Sequence, residues 1–523
     1  MGRKESERKP LSFSTTMRNP ERIAKFLSCV LPYENQILTH DIIVEIIKLV
    51  LNKKLYKPTI IDKTEEFKRI YDDETLEFSN KQLEYIMEQC PQKHKEFGFE
   101  WGWESRFDTW FRLPKEFGFI YYWKGEKIII SNVGHMLVDA VNENPVNELK
   151  IQNVFLNSLA KYRTNNAFRK NSNDNIPLLV LLNVLKLFKE DSEENGSGLH
   201  INELSFLICW PDSNYNEIYK YIKEIRREFG FNLSEEVIYE KCLDLLEASS
   251  VQTNRFKKSQ ILKEAIDEYI RKMRSTGVIS LRGAGRFIDF NTFEMNKINY
   301  VIDKYSEQEV FTIEKSYFNY VGQIDTNILT AASIANNIKE EKRLETLNKL
   351  SEEYSKEDIY KELSILTKKN DTSQNPIFRL IPYPARLEFL TSIALKQNFE
   401  NLIVLPNYPV DDEGIPTSTA GGGTADIYCY DNKNNANFEV TMMCGRQDQI
   451  NNEIVPIRRH LLETRRTKPN AFSVFLAPKI HEDVIEMTIW YKHKDLIDII
   501  PLEITQFVSK IQTINEISNF LNN

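Results

Sequence analysis

Thr424-Ala425-Asp426-Ile427-Tyr428-Cys429-Tyr430, a polar turn at Asp431-Asn432-Lys433-Asn434-Asn435, and then Phe438-Glu439-Val440-Thr441 make up the most informative stretch of this chain. Apolar and polar residues alternate on both sides of the turn, the pattern of a β-hairpin closed by an Asx- and Lys-rich loop. Positions 426 and 439 differ in parity, so a two- or four-residue turn brings Asp426 and Glu439 to facing or diagonal places on one face of the hairpin. Such pairs lie roughly 5 to 8 Å apart. Two carboxylates at that separation can hold one hard divalent cation, because Mg²⁺ takes oxygen ligands and only a few of them from protein. The plain alternative is a pair of solvent-facing acids on an edge hairpin, the usual setting of Asp and Glu.

The rest of the chain bounds the reading. At 523 residues it is too long for one core, and two to four domains are expected. A hydrophobic content of 41% with 28% charged residues describes an ordinary soluble protein, and no apolar run is long enough to span a bilayer. The charged start, Met1 to Lys9, leads into no apolar signal core. Six cysteines, Cys29, Cys90, Cys209, Cys242, Cys429 and Cys444, are scattered without a C-x-x-C pair, which argues against a zinc site and a disulfide framework and fits a reducing cytoplasm. The net charge of −8 disfavours nonspecific binding to nucleic acid but leaves a specific footprint open, since such footprints are local. Basic residues bunch at Arg3 to Lys9, Arg18 to Lys25, Arg271 to Arg274 with Arg282 and Arg286, and Arg458 to Lys468.

Four segments follow from periodicity and turn signals. Residues 1–165 open with an amphipathic helix at Pro20, capped by Asn19, and close with a hairpin of Phe117 to Tyr122 and Lys127 to Ile130, with Ser131 capping the next helix. Residues 166–300 repeat the pattern: a buried helix from Leu178 to Phe188, a second helix from Ile201 to Leu207, and a hairpin of Gly277 to Leu281 and Phe287 to Phe290 around Arg282-Gly283-Ala284-Gly285-Arg286. Helices followed by a two-stranded wing suggest winged-helix modules, and the wing arginines Arg282 and Arg286 are candidates for phosphate or minor-groove contact. Residues 301–375 read as a charged helical linker, with Leu344, Leu347, Leu350 and Tyr354 on one stripe and a loop from Asn370 to Pro376. Residues 376–523 have α/β character: a helix from Leu387 to Leu395, a strand at Ile403 to Leu405, the glycine-bearing loop Asp411 to Thr424, the hairpin, an Arg-rich helix from Val455 to Thr464, strands at Phe472 to Ala477 and Ile499 to Leu502, and a final helix.

Five side chains in this last segment form one candidate constellation: Glu388, Asp426, Glu439, Glu453 and His460. Glu453 and His460 are seven apart, a spacing that lets both project toward the hairpin. Taken singly, His460 between arginines reads as a surface histidine and Glu388 as an acid in the first turn of its helix.

In order and spacing these residues resemble a known group. Asp on one strand and Glu-x-Lys on the next form the metal-binding core of the restriction-endonuclease-like, or PD-(D/E)xK, fold. The runs Ala425-Asp426-Ile427-Tyr428, Phe438-Glu439-Val440-Thr441, Glu453 to His460 and Phe475 to Ile480 resemble type IIS restriction endonucleases of the AlwI and BstNBI group, which includes the large subunits of heterodimeric nicking enzymes. The phrase Leu11 to Ile23 is similar to the AlwI branch in particular, and the likeness continues through Phe107 to Leu137, residues 176 to 228, and Gly277 to Asn291. The resemblance implies a multidomain α+β protein, with winged-helix modules that read a short asymmetric site in double-stranded DNA and a C-terminal α/β nuclease domain that cuts outside it with Mg²⁺. It implies Asp426 and Glu439 as metal ligands, Glu388 and Glu453 as further acids, and His460 as a site histidine. It also implies a transient homodimer at cleavage or a small second subunit, and no membrane partner.

Two positions depart from the broad pattern. Ala425 stands where proline often precedes the first acid, and Thr441 stands where lysine is usual. Threonine supplies no positive charge, so His460, Arg446 or Gln447 are the candidates to orient the attacking water. The alternatives are a strand-specific nicking enzyme and a non-enzymatic winged-helix regulator.

Overall fold

The computed structural model describes residues 8–73, 76–143, 146–170, 173–194, 196, 198–231, 233–248, 256–307, 309–331, 336–367, 373–421 and 423–522. Residues 3–7 of the first basic run, 370–372 of the loop after the charged segment, and Gly422 of the glycine run lie outside the described residues. Two compact units are formed, one from Met1–Ile60, Ser79–Val141 and Leu149–Ser333, the other from Ile61–Phe78, Asn142–Glu148 and Ile334–Asn523.

The first unit is mostly helical. Asn19 accepts the Arg22 N–H at 2.9 Å and Pro20 occupies the first turn, so the Pro20–Val30 helix starts where its cap requires. The Trp103–Glu116 helix buries Phe107, Trp110 and Phe111 completely and leads into a two-stranded hairpin, β1 (Ile120–Tyr121) and β2 (Ile129–Ile130), with Ile120 opposite Ile130. Ser131 then caps the following helix through the Gly134 N–H at 3.0 Å. Further on, β3 (Leu199–His200), β4 (Ile279–Arg282) and β5 (Phe287–Phe290) form an antiparallel sheet in the order β3-β5-β4. The short β3 precedes the segment expected as one helix, which splits into a 3-10 turn at Ile201–Glu203 and the Leu204–Cys209 helix. The β4–β5 turn puts Gly283, Ala284 and Gly285 all at positive φ, which explains two glycines in three residues.

The two expected N-terminal subdomains share this one unit. Phe13 packs its ring on Phe117 and Tyr162, the Leu11 N–H donates to Ile208 O at 2.7 Å, and Arg18 pairs with the buried Glu268 at 2.7 Å. The stretch Leu11 to Ile23 thus ties both halves together from within the core.

The second unit holds a five-stranded sheet in chain order: β6 (Ile403–Pro406), β7 (Ile427–Tyr430), β8 (Asn435–Val440), β9 (Phe472–Ala477) and β10 (Ile499–Glu503). The β6–β7 and β7–β8 pairs are antiparallel, while β8–β9 and β9–β10 are parallel and joined by crossover helices, Val455–Thr467 and Glu482–Asp495. Both faces are covered, so β9 is buried throughout. Its Phe472, Val474 and Leu476 join a core with Ile359, Leu363, Phe389 and Phe507, while Phe475 and Ala477 join a second core with Ile457, Leu461 and Val484.

The segment expected as a linker is divided. The helices Met295–Tyr305 and Glu314–Gly322 belong to the first unit, and Asn336–Glu353 and Lys356–Ile365 to the second. Leu347, Leu350, Ile359 and Leu363 are buried in the core beside the Tyr383–Asn398 helix, and the charges that suggested a linker coat the opposite side. At Gly414, φ is +74° and a Cβ would lie 2.1 Å from Thr346 Oγ1, so only glycine lets the β6–β7 loop approach this helix so closely. Thr346 Oγ1 donates to Glu413 O at 2.8 Å across that approach. Among the described residues no helix is long and apolar enough to cross a membrane, and all six cysteines are free.

Leu347→Ala in the full chain is expected to lower stability by about 2–5 kcal/mol through cavity formation, read as a shift in the denaturation midpoint. A loss below about 0.5 kcal/mol, the size typical of solvated positions, would mean that the helix is a linker after all.

Candidate metal centre

Strand β8 builds the centre by alternation. Its even positions, Ala436, Phe438 and Val440, enter the apolar core, which leaves Asn437, Glu439 and then Thr441 for the other face. Ile427 pairs with Phe438, so one step outward Asp426 faces Glu439 directly across the hairpin. The loop between the strands is Asp431 to Asn434, closed by the Asp431 N–H donating to Asn434 O at 3.0 Å. The four-residue turn and the shared face are therefore as the parity of the two positions implies.

Backbone and side-chain bonds hold each acid. Asp426 Oδ2 accepts the Val440 N–H at 2.8 Å, and Glu439 Oε2 lies 3.4 Å from the Asp426 nitrogen. His460, two turns into the Val455–Thr467 helix, sets Nδ1 2.9 Å from Glu439 Oε1. It is 8% exposed, not a surface histidine, and its buried Nε2 has no hydrogen-bond partner among the described residues. Glu388 lies beyond the first turn of the Tyr383–Asn398 helix, which begins four residues earlier than the apolar pattern suggests. It is 2% exposed, and its Oε2 accepts the Ala420 N–H at 2.9 Å from the glycine-bearing loop. Glu453 sits in a π-helical turn, Gln449–Ile454.

Asp426, Glu439 and His460 thus meet directly, while Glu388 and Glu453 lie near enough to act on them through their charge, and the electrostatics are those of acids crowded together without a counter-charge. Burial first, and then Asp426, pushes the Glu388 carboxyl well above its ordinary range. Burial and then Glu439 do the same to Asp426. Glu439 is raised by burial and by Glu453. Glu453 is pushed up to about 7 by burial, with the nearby Thr441 side chain opposing the rise and Asp426 and Asp448 adding to it. His460 is lowered, chiefly by burial and then by Arg459. Hard carboxylate oxygens that repel one another in a buried place, beside an unpartnered imidazole nitrogen, suit a hard divalent cation.

Other expected residues fall differently. Of the candidates to orient the attacking water, Arg446 pairs with Asp483 and Gln447 Oε1 accepts from Asn451 at 2.8 Å. Arg282 binds Asp289 Oδ2 at 2.8 Å and Phe290 O at 2.9 Å, which makes it a brace within its own hairpin. Arg286 is exposed at the tip, with Nε donating to Gly283 O at 2.9 Å. Sequence reasoning missed Gln449, which is fully buried. It donates to Met443 O and Lys479 O at 2.8 and 2.7 Å and accepts from the His481 N–H, fixing the chain on both sides of the π turn. No local pattern marks it, because its partners are 6 to 32 residues away. Among the described residues the group of three whose ligand atoms all lie within 4.8 Å of one another is instead His40, Glu100 and Glu104, and there Lys124 Nζ already sits 3.0 Å from both Glu104 oxygens.

A family model described as AlwI restriction endonuclease matches residues 115–357 and 336–509. The small subunit (R.BspD6I2) of the heterodimeric restriction endonuclease R.BspD6I is similar at 24% identity over 30% of this chain and 76% of that one, with a TM-score of 0.25. Restriction endonuclease FokI aligns at 12% identity over 98% of this chain and 97% of its own, with a TM-score of 0.23, and its DNA-bound form at 11%, 98% and 97%, with a TM-score of 0.24. Among curated proteins none matches.

Acids whose pKa is raised by folding bind protons more tightly in the native state, so they contribute stability that is lost as pH rises from the unfolded carboxylate range through the folded value, about 7 for Glu453. The metal-free protein is accordingly expected to melt at a lower temperature at pH 8 than at pH 6, and Ca²⁺ to remove the difference. Calorimetry in buffers of different ionisation enthalpy should show roughly one or more protons released on Ca²⁺ binding. Binding without proton release would contradict the crowded-acid description.

Proposed function

The chain belongs to the AlwI restriction endonuclease family, and from that premise we propose that it is a type IIS enzyme that reads a short asymmetric site in double-stranded DNA and hydrolyses phosphodiester bonds outside it with Mg²⁺. The observation that carries the reading is Glu439, buried on a sheet face between Asp426 and His460. Asp426 and Glu439 hold the cation, with Glu388 and Glu453 as further acids around it. When bound, Mg²⁺ supplies Lewis acidity that lowers the pKa of an attacking water and screens charge at phosphorus. The protein's own part is to bury and orient the acids and to keep His460 in register through Glu439.

Recognition is assigned to the first unit. The order of helix Pro177–Glu190, β3, helices Leu204–Cys209 and Tyr215–Phe229, helix Ala265–Arg274 and the β4–β5 hairpin supports a winged-helix reading. Arg286, exposed at the hairpin tip, is the stronger phosphate contact, and Arg282 supports it by stiffening the hairpin.

With one such centre among the described residues, one strand is cut at a time, so double-strand cleavage needs either a second copy or a large reorientation of one. The exposed face of the Glu482–Asp495 helix supports pairing between two copies: Ile485, Ile489 and Trp490 are exposed, acids Glu482, Asp483 and Glu486 occupy its first half, and Lys492, His493 and Lys494 its last turn. Such a helix is charge-complementary to an antiparallel copy of itself. A nicking enzyme completed by a small second subunit is the alternative, favoured by the same count of one centre per chain.

Asp426→Asn and Glu439→Gln should each reduce cleavage in Mg²⁺ to the detection limit while leaving site-specific mobility shifts in Ca²⁺ intact. Full cutting by either variant would remove the site assignment. For pairing, the ratio of linear to nicked plasmid should rise steeply with enzyme concentration, and Ile489→Asp should leave nicking while suppressing linear product. A ratio independent of concentration would favour the nicking enzyme.

A further inference from the structure

Phe97 is 91% exposed and Trp101 63% exposed, and both stand on a loop of the first unit whose backbone is held in place. The Gly102 N–H donates to His94 O at 3.1 Å, which closes the loop on itself, and the Glu96 N–H donates to Ser105 Oγ at 3.0 Å, which ties it to the Trp103–Glu116 helix. Phe99, between the two rings, points the other way: it is buried and stacks on Trp123 in the β1–β2 turn at 6.0 Å. A glycine follows each exposed ring, Gly98 at φ +80° and Gly102 at φ +98°, and a Cβ on Gly98 would lie 3.2 Å from the Trp123 ring. These glycines let the chain turn Phe99 inward and its aromatic neighbours outward. A ring presented to water on a held backbone has little ordering entropy left to lose when it meets a partner.

The charge around the rings leaves one sign in excess. Glu96 pairs with Arg112, Glu100 with Lys124 at 3.1 Å, and Glu104 with His40 at 2.6 Å and Lys124 at 3.0 Å. Lys93 and Lys95, both exposed, have no acidic partner among the described residues, and Lys95 Nζ donates to Phe99 O at 3.0 Å. Covering both rings fully would bury about 300–500 Å². A stable protein interface takes about 800 Å² per partner, whereas one apolar ring suffices to open a base step in duplex DNA.

We propose that Phe97 is a wedge that enters a base step of the duplex at or beside the recognised site, with Trp101 as a second apolar contact and Lys93 and Lys95 on the flanking phosphates. The proposal rests on the restriction-enzyme reading of the chain and deepens it by naming a loop through which the first unit deforms its DNA. A wedge unstacks the step it enters and kinks the duplex, at a cost that is least for flexible pyrimidine–purine steps. The loop therefore contributes sequence preference without a hydrogen bond to any base.

The test uses the full chain in Ca²⁺ with duplexes carrying the site mapped from its own cleavage products, and 2-aminopurine placed singly across the site and its flanks. Binding of the unaltered chain should raise the emission about twofold or more at one step, through loss of stacking. Phe97→Ala should abolish that rise and weaken binding about 10-fold or more. Phe97→Leu, still an apolar wedge, should keep the rise and bind within about threefold of the unaltered chain. Lys93→Gln combined with Lys95→Gln should reduce the slope of log K against log salt by about 2, a slope that Phe97→Ala leaves unchanged. The exposed ring packs on little, so the melting temperature of Phe97→Ala should match that of the unaltered chain. Full affinity in Phe97→Ala, or no emission change at any position with the unaltered chain, would overturn the proposal. Intact DNA binding in Phe97→Ala together with loss of self-association in sedimentation velocity would also overturn it, and would make the loop a protein-binding surface. Failure of the restriction-enzyme reading shows separately, as absence of both site-specific binding and Mg²⁺-dependent cleavage by the unaltered chain, and it would take the wedge with it.

Discussion

The mutual repulsion of buried carboxyls on one face of β8 and its neighbours is the constraint around which the second unit is organised. Removing charged groups from water costs several kcal/mol each unless something compensates, and here Glu388, Asp426 and Glu439 all sit where that cost is felt. The compensation within the chain is partial: backbone N–H groups from Ala420 and Val440 and one imidazole. Each donor comes from a different element, so the sheet, the two helices against it and the loop before the hairpin must all be in place for any acid to be held. The doubly covered sheet provides that rigidity, and the incomplete compensation leaves the centre an appetite for a cation.

The hairpin was legible because alternation is a local signal and parity alone decides which residues share a face. The same holds for Asn19 and Ser131, whose caps depend on neighbours within three residues. What escaped was set by distant partners. The stripe of Leu347 and Leu350 is visible in sequence, but the sheet helix that receives it begins only at Tyr383, so the charged surface of the same helix dominated the reading. Glu388 looked like a first-turn acid because its helix starts earlier, at a tyrosine followed by proline, where no side chain caps the end. Gln449 carried no signal at all.

The first unit teaches the same lesson with the opposite sign. Glycines at 283 and 285 announced a tight hairpin tip, and the flanking arginines invited a shared role. Asp289, with 1% side-chain exposure, divides them: it takes Arg282 and Lys189 as partners, while Arg286 remains outside that pair. Which of two similar cations is available to a ligand was decided by a buried acid on the returning strand, and a pattern read along the chain does not reveal such pairings.

The π turn at Gln449–Ile454 has a consequence for how the chain can vary. It inserts extra backbone just ahead of the helix bearing His460, so the angular phase between Glu453 and His460 is set by the width of that one turn. Each residue of an ordinary helix advances the phase by about 100°. Trimming the turn to regular helix would rotate one of the two side chains off the face that meets Glu439. Length there is consequently a fixed quantity, in contrast to surface loops elsewhere: composition can drift, while a single-residue insertion or deletion swings an acid or a base out of the centre altogether.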